Sequence, residues 1–213
     1  MSVPQIDILV SGSGSNMRAL HAQGGQDYQI RRVLADRPCA ALEWAAAHSL
    51  ATTLIDWREY GGDRAAFSRA VAHALATPEL PQLVACAGFM RLLAPDFFAR
   101  VSCPVLNIHP SLLPAYKGAH AQRQALEAGA RVSGATVHFM TAEMDAGGIL
   151  VQQAVPVYPD DTESDLQQRI LAVEHTIYAP AVRWVLQGVA SSVQGGSRVS
   201  WRADWRTHLI GRG

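Results

Sequence analysis

Short apolar runs alternate with helix-length amphipathic segments through the first half of the chain. The apolar runs predict a buried strand at residues 6–10 and further strands at 32–35, 52–55, 83–87 and 105–108. The segments between them predict helices that begin near Asn16, Ala40, Arg64 and Pro95. Strands that alternate with helices are typical of a mostly parallel open sheet with helices on both faces. We therefore predict an α/β fold.

The second half of the chain has a different pattern. After a proline-bearing loop at residues 110–118 and a helix at 120–128, two strand-like runs are joined by a short polar link; they lie at residues 136–140 and 149–157. Such a pair predicts an antiparallel addition to the sheet. A long amphipathic helix is predicted from Glu163 to about Leu186, and the Gly-, Ser- and Arg-rich residues after it predict a loosely held tail.

Composition excludes several classes of protein. The 213 residues hold 18 basic and 18 acidic side chains, a balance that argues against general nucleic-acid binding. The N-terminus lacks the features of a signal peptide, and no apolar run approaches the roughly 18 residues of a membrane helix. The three cysteines have no metal-ligand spacing. We therefore expect a cytoplasmic protein with reduced thiols, no metal, and no nucleic-acid or membrane partner.

A glycine- and serine-rich loop, residues 11–16, lies between the first predicted strand and the first helix. Glycines let the backbone approach an anion, and Ser15 and Asn16 add side-chain donors. A dinucleotide site would explain Asp36 about 20 residues on, but it requires a third glycine where this chain has Met17. A merely tight turn remains an alternative. We favour a single phosphate monoester as the ligand.

Two polar residues stand at the end of the strand predicted at 105–108. Strand alternation puts Asn107 and His109 on one face, at the edge where open α/β sheets bind ligands. Asp145 lies in a glycine-bearing turn at residues 143–148, and local sequence alone favours an ordinary turn aspartate. If its carboxylate met the histidine, it would stabilise an imidazolium, which with the Asn107 amide would suit a tetrahedral oxyanion. This pattern indicates acyl transfer without a covalent intermediate, because a covalent hydrolase would need a GxSxG nucleophile elbow or a catalytic cysteine, and the lack of an HExxH motif disfavours metal hydrolysis.

Five motifs occur in an order that resembles the phosphoribosylglycinamide formyltransferase family. They are GSGSN at 12–16, AGFMRLL at 87–93, LNIHPSLLP at 106–114, the VHF–DAGG region at 137–148 and EHTIY at 174–178. The resemblance covers the chain to about Leu186. It implies a Rossmann-like open sheet and transfer of the formyl group of 10-formyltetrahydrofolate to the amine of glycinamide ribonucleotide in de novo purine biosynthesis. The folate is then a co-substrate, and the family chemistry implies no metal.

The resemblance also implies roles for individual residues. It makes Asn107, His109 and Asp145 the catalytic residues. It implies that the substrate is bound by Gly14, Ser15, Asn16, Gly88 and Glu174. It implies that the folate is bound by Arg64, Met90, Arg91, Leu92, Leu93 and Asn107.

The resemblance implies a domain division as well. A formyltransferase domain would occupy residues 1–188, with a phosphate-binding half at about 1–104, a catalytic and folate-binding half at about 105–188, and a tail at 189–213. Either a monomer or a homodimer would be consistent with it.

Several alternatives remain open from the residues. The apolar residues at 89–93 could belong to the core, Arg64 could be a surface arginine, Glu174 could face solvent, and His138 is interpreted first as a packed strand residue. Ala115, Lys117 and Leu171 depart from the pattern of some relatives. The alternative functions are a 10-formyltetrahydrofolate hydrolase and a non-enzymatic module that binds a phosphate ligand.

Overall fold

The computed structural model describes residues 2–193 and 196–209, in two compact units that cover residues 1–106 and 107–213. The first unit contains β1 (Gln5–Val10), α1 (Ser15–Gly24), β2 (Gln29–Ala35), α2 (Ala40–Ala47), β3 (Ala51–Leu54), a 3₁₀ helix (Trp57–Tyr60), α3 (Arg64–Leu75), β4 (Leu83–Cys86), α4 (Pro95–Arg100) and the start of β5 (Val105–His109). The second contains the end of β5, α5 (Ala121–Glu127), β6 (Val132–Phe139), β7 (Ile149–Pro156), α6 (Glu163–Leu186), β8 (Ala190–Val193), β9 (Arg198–Trp201) and α7 (Arg206–Leu209).

The first unit is a parallel sheet whose strands follow the order β3-β2-β1-β4, with β5 next. The central strand β1 is apolar and its Ile6, Ile8 and Leu9 are fully buried. A strand buried on both faces reads as a continuous apolar run rather than an alternating one. The glycine-serine loop follows β1 directly, so it lies at the carboxyl end of the central strand.

In the second unit the order is β5-β6-β7, and β6 and β7 are antiparallel. Their register shifts between Val137 and His138, where one residue is left out of the regular pairing. Beyond this shift the Phe139 N–H donates to the Gly148 carbonyl at 2.9 Å. The shift therefore lies where the strands lead into the turn that carries Asp145.

The long helix α6 begins and ends at the residues expected from its amphipathic pattern. Thr162 and Asp165 form a capping box in which each side chain accepts from the backbone N–H of the other. One face of the helix is buried, and it includes Leu166, Ile170 and Glu174. The cap fixes the helix start, and the buried face holds the helix in the second unit.

The expectation of a loosely held tail is wrong for the described residues. Strands β8 and β9 pair antiparallel from Ala190↔Trp201 to Val193↔Arg198. The ring centroids of Trp184 and Trp201 lie 6.0 Å apart, which ties the pair to the end of α6. The composition of this segment did not predict the strands. Backbone hydrogen bonds can form between residues of any type, so a Gly- and Ser-rich segment can pair without an apolar pattern.

The predicted fold class is confirmed: a mostly parallel sheet of seven strands with helices is accompanied by a separate antiparallel pair. The main differences are element limits, since β2 begins at Gln29 rather than residue 32 and β6 at Val132 rather than residue 136. The 3₁₀ helix was not expected from the pattern.

Cys86 is buried, and burial raises the pKa of its thiol to about 12, whereas Cys103 is only partly buried. In the described part of the chain, no helix is both long and apolar enough to cross a membrane.

The capping box of α6 yields a stability prediction. Replacing Thr162 by alanine removes the acceptor for the Asp165 N–H and should lower the free energy of unfolding by about 1 kcal/mol. Urea unfolding followed by circular dichroism measures the loss. Thr176→Ala is the matched control, because Thr176 is exposed inside the same helix; an equal loss in both variants would contradict a specific capping role.

Candidate functional site

Asp145 has the most constrained backbone in the predicted catalytic set. Its φ of +48° lies in the left-handed region, which aspartate tolerates better than most residues. The backbone N–H of Gly118 donates to Asp145 Oδ2 at 2.8 Å. The carboxylate is therefore held by the loop that follows β5, and it is not an ordinary solvent-facing turn residue.

The structure brings Asp145 to His109. His109 Nδ1 lies 3.5 Å from Asp145 Oδ2, and both side chains are almost buried. On the other side of the ring, Nε2 lies 2.9 Å from the carbonyl oxygen of Tyr116. Both ring nitrogens thus face acceptors, and only the protonated ring has an N–H for each. The ring is thereby held between the Asp145 turn and the loop at 110–118.

Asn107 joins the same cluster through His138. The Asn107 amide nitrogen lies 3.2 Å from His138 Nε2, and His138 Nδ1 lies 2.9 Å from the Phe139 carbonyl oxygen. A carbonyl only accepts, so Nδ1 carries the proton of the neutral ring and Nε2 accepts from Asn107. Burial lowers the pKa of His138, which favours this neutral form. One amide N–H of Asn107 is then bound and the other is left for a ligand.

His138 also approaches Asp145, with 3.7 Å between Nε2 and Oδ1. In the neutral tautomer this nitrogen is an acceptor, so the contact is not an ion pair. The interpretation of His138 as a packed strand residue is incomplete, because the side chain is buried but also contacts Asn107. Strand alternation in β6 gave no means of distinguishing these two roles.

The loop at 110–118 is tied to β6 and β7 by side chains that the sequence did not single out. Thr136 Oγ1 donates to the Ser111 carbonyl at 2.6 Å and accepts from the Leu113 N–H at 3.1 Å. Gln152 Nε2 donates to the Leu113 carbonyl at 2.8 Å. This network fixes the loop that supplies the Tyr116 carbonyl and the Gly118 N–H to the cluster.

In the first unit, the glycine-serine loop leads directly into α1. Gly14 has a φ of +77° at the N-cap, and a Cβ there would lie 2.7 Å from the Cβ of Ala41. Ser15 is partly exposed, Asn16 is buried, and the first-turn amides of a helix have no partner within it. The loop therefore turns into α1 at a position that only glycine fits without strain. Met17 is fully buried, which agrees with the prediction that it would obstruct the packing of a dinucleotide fold.

Asp36, the acid that a dinucleotide site would use, is fully buried and paired. Its Oδ2 accepts from Arg91 Nε at 2.6 Å, and the Arg91 guanidinium lies 5.0 Å from the ring centroid of Trp57. Arg91 thus has the partner that a charge among apolar residues requires. Because the Asp36 carboxylate is buried and paired with Arg91, it is not exposed for hydrogen bonding to a ribose.

The residues predicted to bind folate in the first unit differ in exposure. Met90 and Leu92 are exposed by 70% and 46%, so they are not core residues, whereas Leu93 is buried. Arg64 donates from Nη2 to the Leu93 carbonyl at 2.8 Å, which places it beside this segment rather than free on the helix surface. Two exposed apolar side chains next to a guanidinium are suited to a flat, partly polar ligand.

The backbone of the same segment is held by the glycine-serine loop. Ser11 Oγ accepts from the Met90 N–H at 2.8 Å, and Gly88 before it has a φ of +78°. The two regions predicted to bind the two substrates are thereby coupled within the first unit.

Glu174 lies on α6 in the second unit and is buried, so the alternative that it faces solvent is wrong. Among the described residues, no three His, Cys, Asp or Glu side chains group in a way that could hold a metal ion.

Comparison with known proteins gives one consistent family. The sequence profile of the formyl transferase family matches residues 5–182. The phosphoribosylglycinamide formyltransferase of Escherichia coli is 38% identical over 192 residues, which are 86% of this chain and 87% of that protein. The trifunctional purine biosynthetic protein adenosine-3 of Chironomus tentans is 39% identical over 196 residues; these cover 88% of this chain, which spans only 14% of that relative.

Among solved structures, glycinamide ribonucleotide transformylase 1 from Symbiobacterium toebii superimposes with a TM-score of 0.86. It is 40% identical, and the match covers 94% of each chain. The resemblance indicated by the five sequence motifs is confirmed by these relatives.

The neutral state of buried His138 predicts a pH dependence of stability. The unfolded chain takes up a proton at an ordinary histidine pKa of about 6.5, while the folded state resists it. The free energy of unfolding should therefore fall as the pH drops below about 6.5, by up to about 1.4 kcal/mol per pH unit from this group. Urea unfolding from pH 8 to 5 measures it. His138→Gln should reduce the slope of the unfolding free energy against pH, and the exposed His73→Gln should retain the wild-type slope. Equal slopes in both variants would contradict the neutral state of buried His138.

Proposed function

Because the chain belongs to the formyl transferase family, we propose that it transfers the formyl group of 10-formyltetrahydrofolate to the amine of glycinamide ribonucleotide in purine biosynthesis. The observation that carries the proposal is the contact of His109 with Asp145, in one cluster with Asn107. A cationic ring supported by a carboxylate, beside an amide donor, can stabilise an oxyanion. The family implies a folate-type co-substrate, and 10-formyltetrahydrofolate supplies the group to be moved.

The reaction begins when the amine nitrogen attacks the formyl carbon. The carbonyl oxygen then becomes an oxyanion, which accepts from the second amide N–H of Asn107 and from the His109 ring. In the structure His109 Nε2 faces the Tyr116 carbonyl, so this N–H becomes available to the substrate only when that carbonyl moves away. These hydrogen bonds become stronger as negative charge develops on the oxygen. They therefore stabilise the transition state more than the bound substrate, and this lowers the barrier.

Asp145 supports the His109 cation and takes part in the proton balance. The new bond joins the amine nitrogen to the formyl carbon, and the bond between that carbon and the folate nitrogen breaks. The proton that the amine loses ends on the departing folate nitrogen, with Asp145 assisting directly or through water. No covalent enzyme intermediate is needed. Holding the two substrates in order supplies a further part of the rate.

Apart from Asn107, the residues assigned to substrate binding lie outside the catalytic cluster. The backbone and side chains of Gly14, Ser15 and Asn16 bind the phosphate of glycinamide ribonucleotide, with Gly88 beside the substrate and Glu174 on its ribose. The folate is bound by Arg64, Met90, Arg91, Leu92 and Leu93, together with Asn107. The left-handed Gly14 at a helix start and the exposed Met90 and Leu92 support these assignments.

The catalytic proposal is tested by following tetrahydrofolate release and formylated product with both substrates present. We expect Asn107→Ala and Asp145→Asn each to lower kcat by about 100-fold or more, because one donor or one supporting charge is lost. Asparagine can still accept from the Gly118 N–H and tolerates a φ of +48°, so Asp145→Asn should stay folded.

Asp160→Asn is the matched control, since Asp160 is an exposed carboxylate in the same unit. It should retain wild-type turnover. Equal release of tetrahydrofolate with and without the amine would reject the transferase and favour a hydrolase. Ligand binding without turnover in the wild type would favour a non-enzymatic phosphate-binding module.

The phosphate assignment makes a separate prediction. In Gly14→Ala the new Cβ would meet Ala41 and the left-handed φ would be strained, so the loop must shift. We expect KM for glycinamide ribonucleotide to rise about tenfold or more, equivalent to about 1.4 kcal/mol of lost binding, with a smaller effect on KM for the folate. Steady-state kinetics with each substrate varied measures the split.

Gly25→Ala is its control at the other end of α1. Gly25 has a φ of +54° and a ψ of −121°, and a Cβ added there would have no atom within 4 Å, so the substitution strains the backbone at least as much as at Gly14, but away from the loop. An equal rise of KM in both variants would show that general destabilisation of the helix, not the anion site, is responsible.

A further inference from the structure

The middle of the turn that carries Asp145 is not held by core packing. Residues 142–144 are exposed, Met144 by 45%, while Gly147 and Gly148 at its end are buried. Asp145 itself has a backbone conformation that L-residues disfavour. Besides the hydrogen bond from the Gly118 N–H, the position of its carboxylate therefore depends on what fixes the two ends of the turn.

Both ends of the turn lie against one residue, Gly196, which is found between the two C-terminal strands β8 and β9. At the far end, the Gly148 N–H donates to the Gly196 carbonyl at 2.7 Å. At the near end, a Cβ on Gly196 would lie only 2.9 Å from Thr141 Cγ2, and Thr141 Oγ1 donates into the turn at the Glu143 carbonyl. Gly196, between β8 and β9 in the chain, thus lies against the start and the end of the turn.

The packing behind the turn leaves no room for side chains. A Cβ on Gly147 would overlap the Phe139 carbonyl oxygen, and one on Gly148 would lie 2.8 Å from the backbone carbon of Arg198 in β9. The same Phe139 carbonyl binds His138 Nδ1. The backbone of the turn therefore packs directly on the backbone of β9, and this close approach requires glycine at position 148.

We propose that the β8–β9 pair, through Gly196, positions Asp145 for catalysis by fixing both ends of its turn. The inference rests on the proposed function and extends it beyond residues 5–182, where the family profile matches. Gly196 touches no reacting atom; it acts through the turn. Since an ångström of misplacement in a catalytic group costs about 100-fold in rate, a contact behind the turn has a measurable effect on kcat.

The test compares Gly196→Ala with Gly188→Ala. Both glycines have a positive φ, +92° and +65°, but a Cβ on Gly188 meets nothing within 4 Å. We expect Gly196→Ala to lower kcat about tenfold to 100-fold with saturating substrates, and Gly188→Ala to leave kcat unchanged. Adding Thr141→Ser to Gly196→Ala removes the clashing methyl but keeps the hydroxyl, and it should restore part of the kcat.

A second measurement does not depend on activity. The Gly118 N–H binds Asp145 Oδ2 at 2.8 Å, so its protection from hydrogen exchange reports where the carboxylate lies. Protection should fall in Gly196→Ala, recover in the double variant and be unchanged in Gly188→Ala. If the wild type transferred no formyl group, the proposed function would fail, and this exchange experiment would still decide the positioning role.

Unchanged Gly118 protection in folded Gly196→Ala would overturn the inference, as would equal losses of kcat in the single and double variants. If Gly196→Ala does not fold, the comparison is made with Val199→Ala, which removes the Cγ2 methyl group that lies 3.0 Å from the Cβ position of Gly148 and so loosens the packing of β9 on the turn. Loss of Gly118 protection in that folded variant supports the role, and full protection overturns it.

Discussion

The candidate site depends on one carboxylate held in an unfavourable backbone conformation. Asp145 lies at a φ of +48° with its Oδ2 between the Gly118 N–H and His109 Nδ1. A residue remains in this region only when its surroundings determine it more strongly than its own preference. The loop after β5, the turn after β6 and the packing behind that turn all contribute to holding this carboxylate beside the histidine.

Two histidines a few ångströms from Asp145 have different environments. His138 is buried, gives its Nδ1 proton to a backbone carbonyl, and has its pKa lowered, so it serves as a neutral acceptor for Asn107. His109 faces a carboxylate on one side and the Tyr116 carbonyl on the other. The two buried rings thus have different hydrogen-bonding partners within one cluster, and the residue type alone does not determine them.

Much of the fold was predictable because it follows from local periodicity. Apolar runs became strands of the first unit, of which β1 and β4 are buried and the edge strand β3 is mostly exposed, and the 24 residues of α6 begin and end where their amphipathic pattern predicts. The limits of β2 and β6 were less accurate, since strand ends depend on pairing with other strands. The β8–β9 pair was missed, because its backbone pairing and the packing of Trp184 on Trp201 leave little trace in a Gly- and Ser-rich segment.

The sequence by itself determined the α/β class, the glycine turn at Gly14 that leads into α1, and the place of Asn107 and His109 at a strand end, since these follow from neighbours along the chain. The motifs added the family. Only the tertiary structure decided that Asp145 reaches His109, that Asp36 is paired with Arg91, and that Gly196 lies against the Asp145 turn. Each of these contacts joins residues far apart in the chain, and local patterns carry no information about which distant segments will meet.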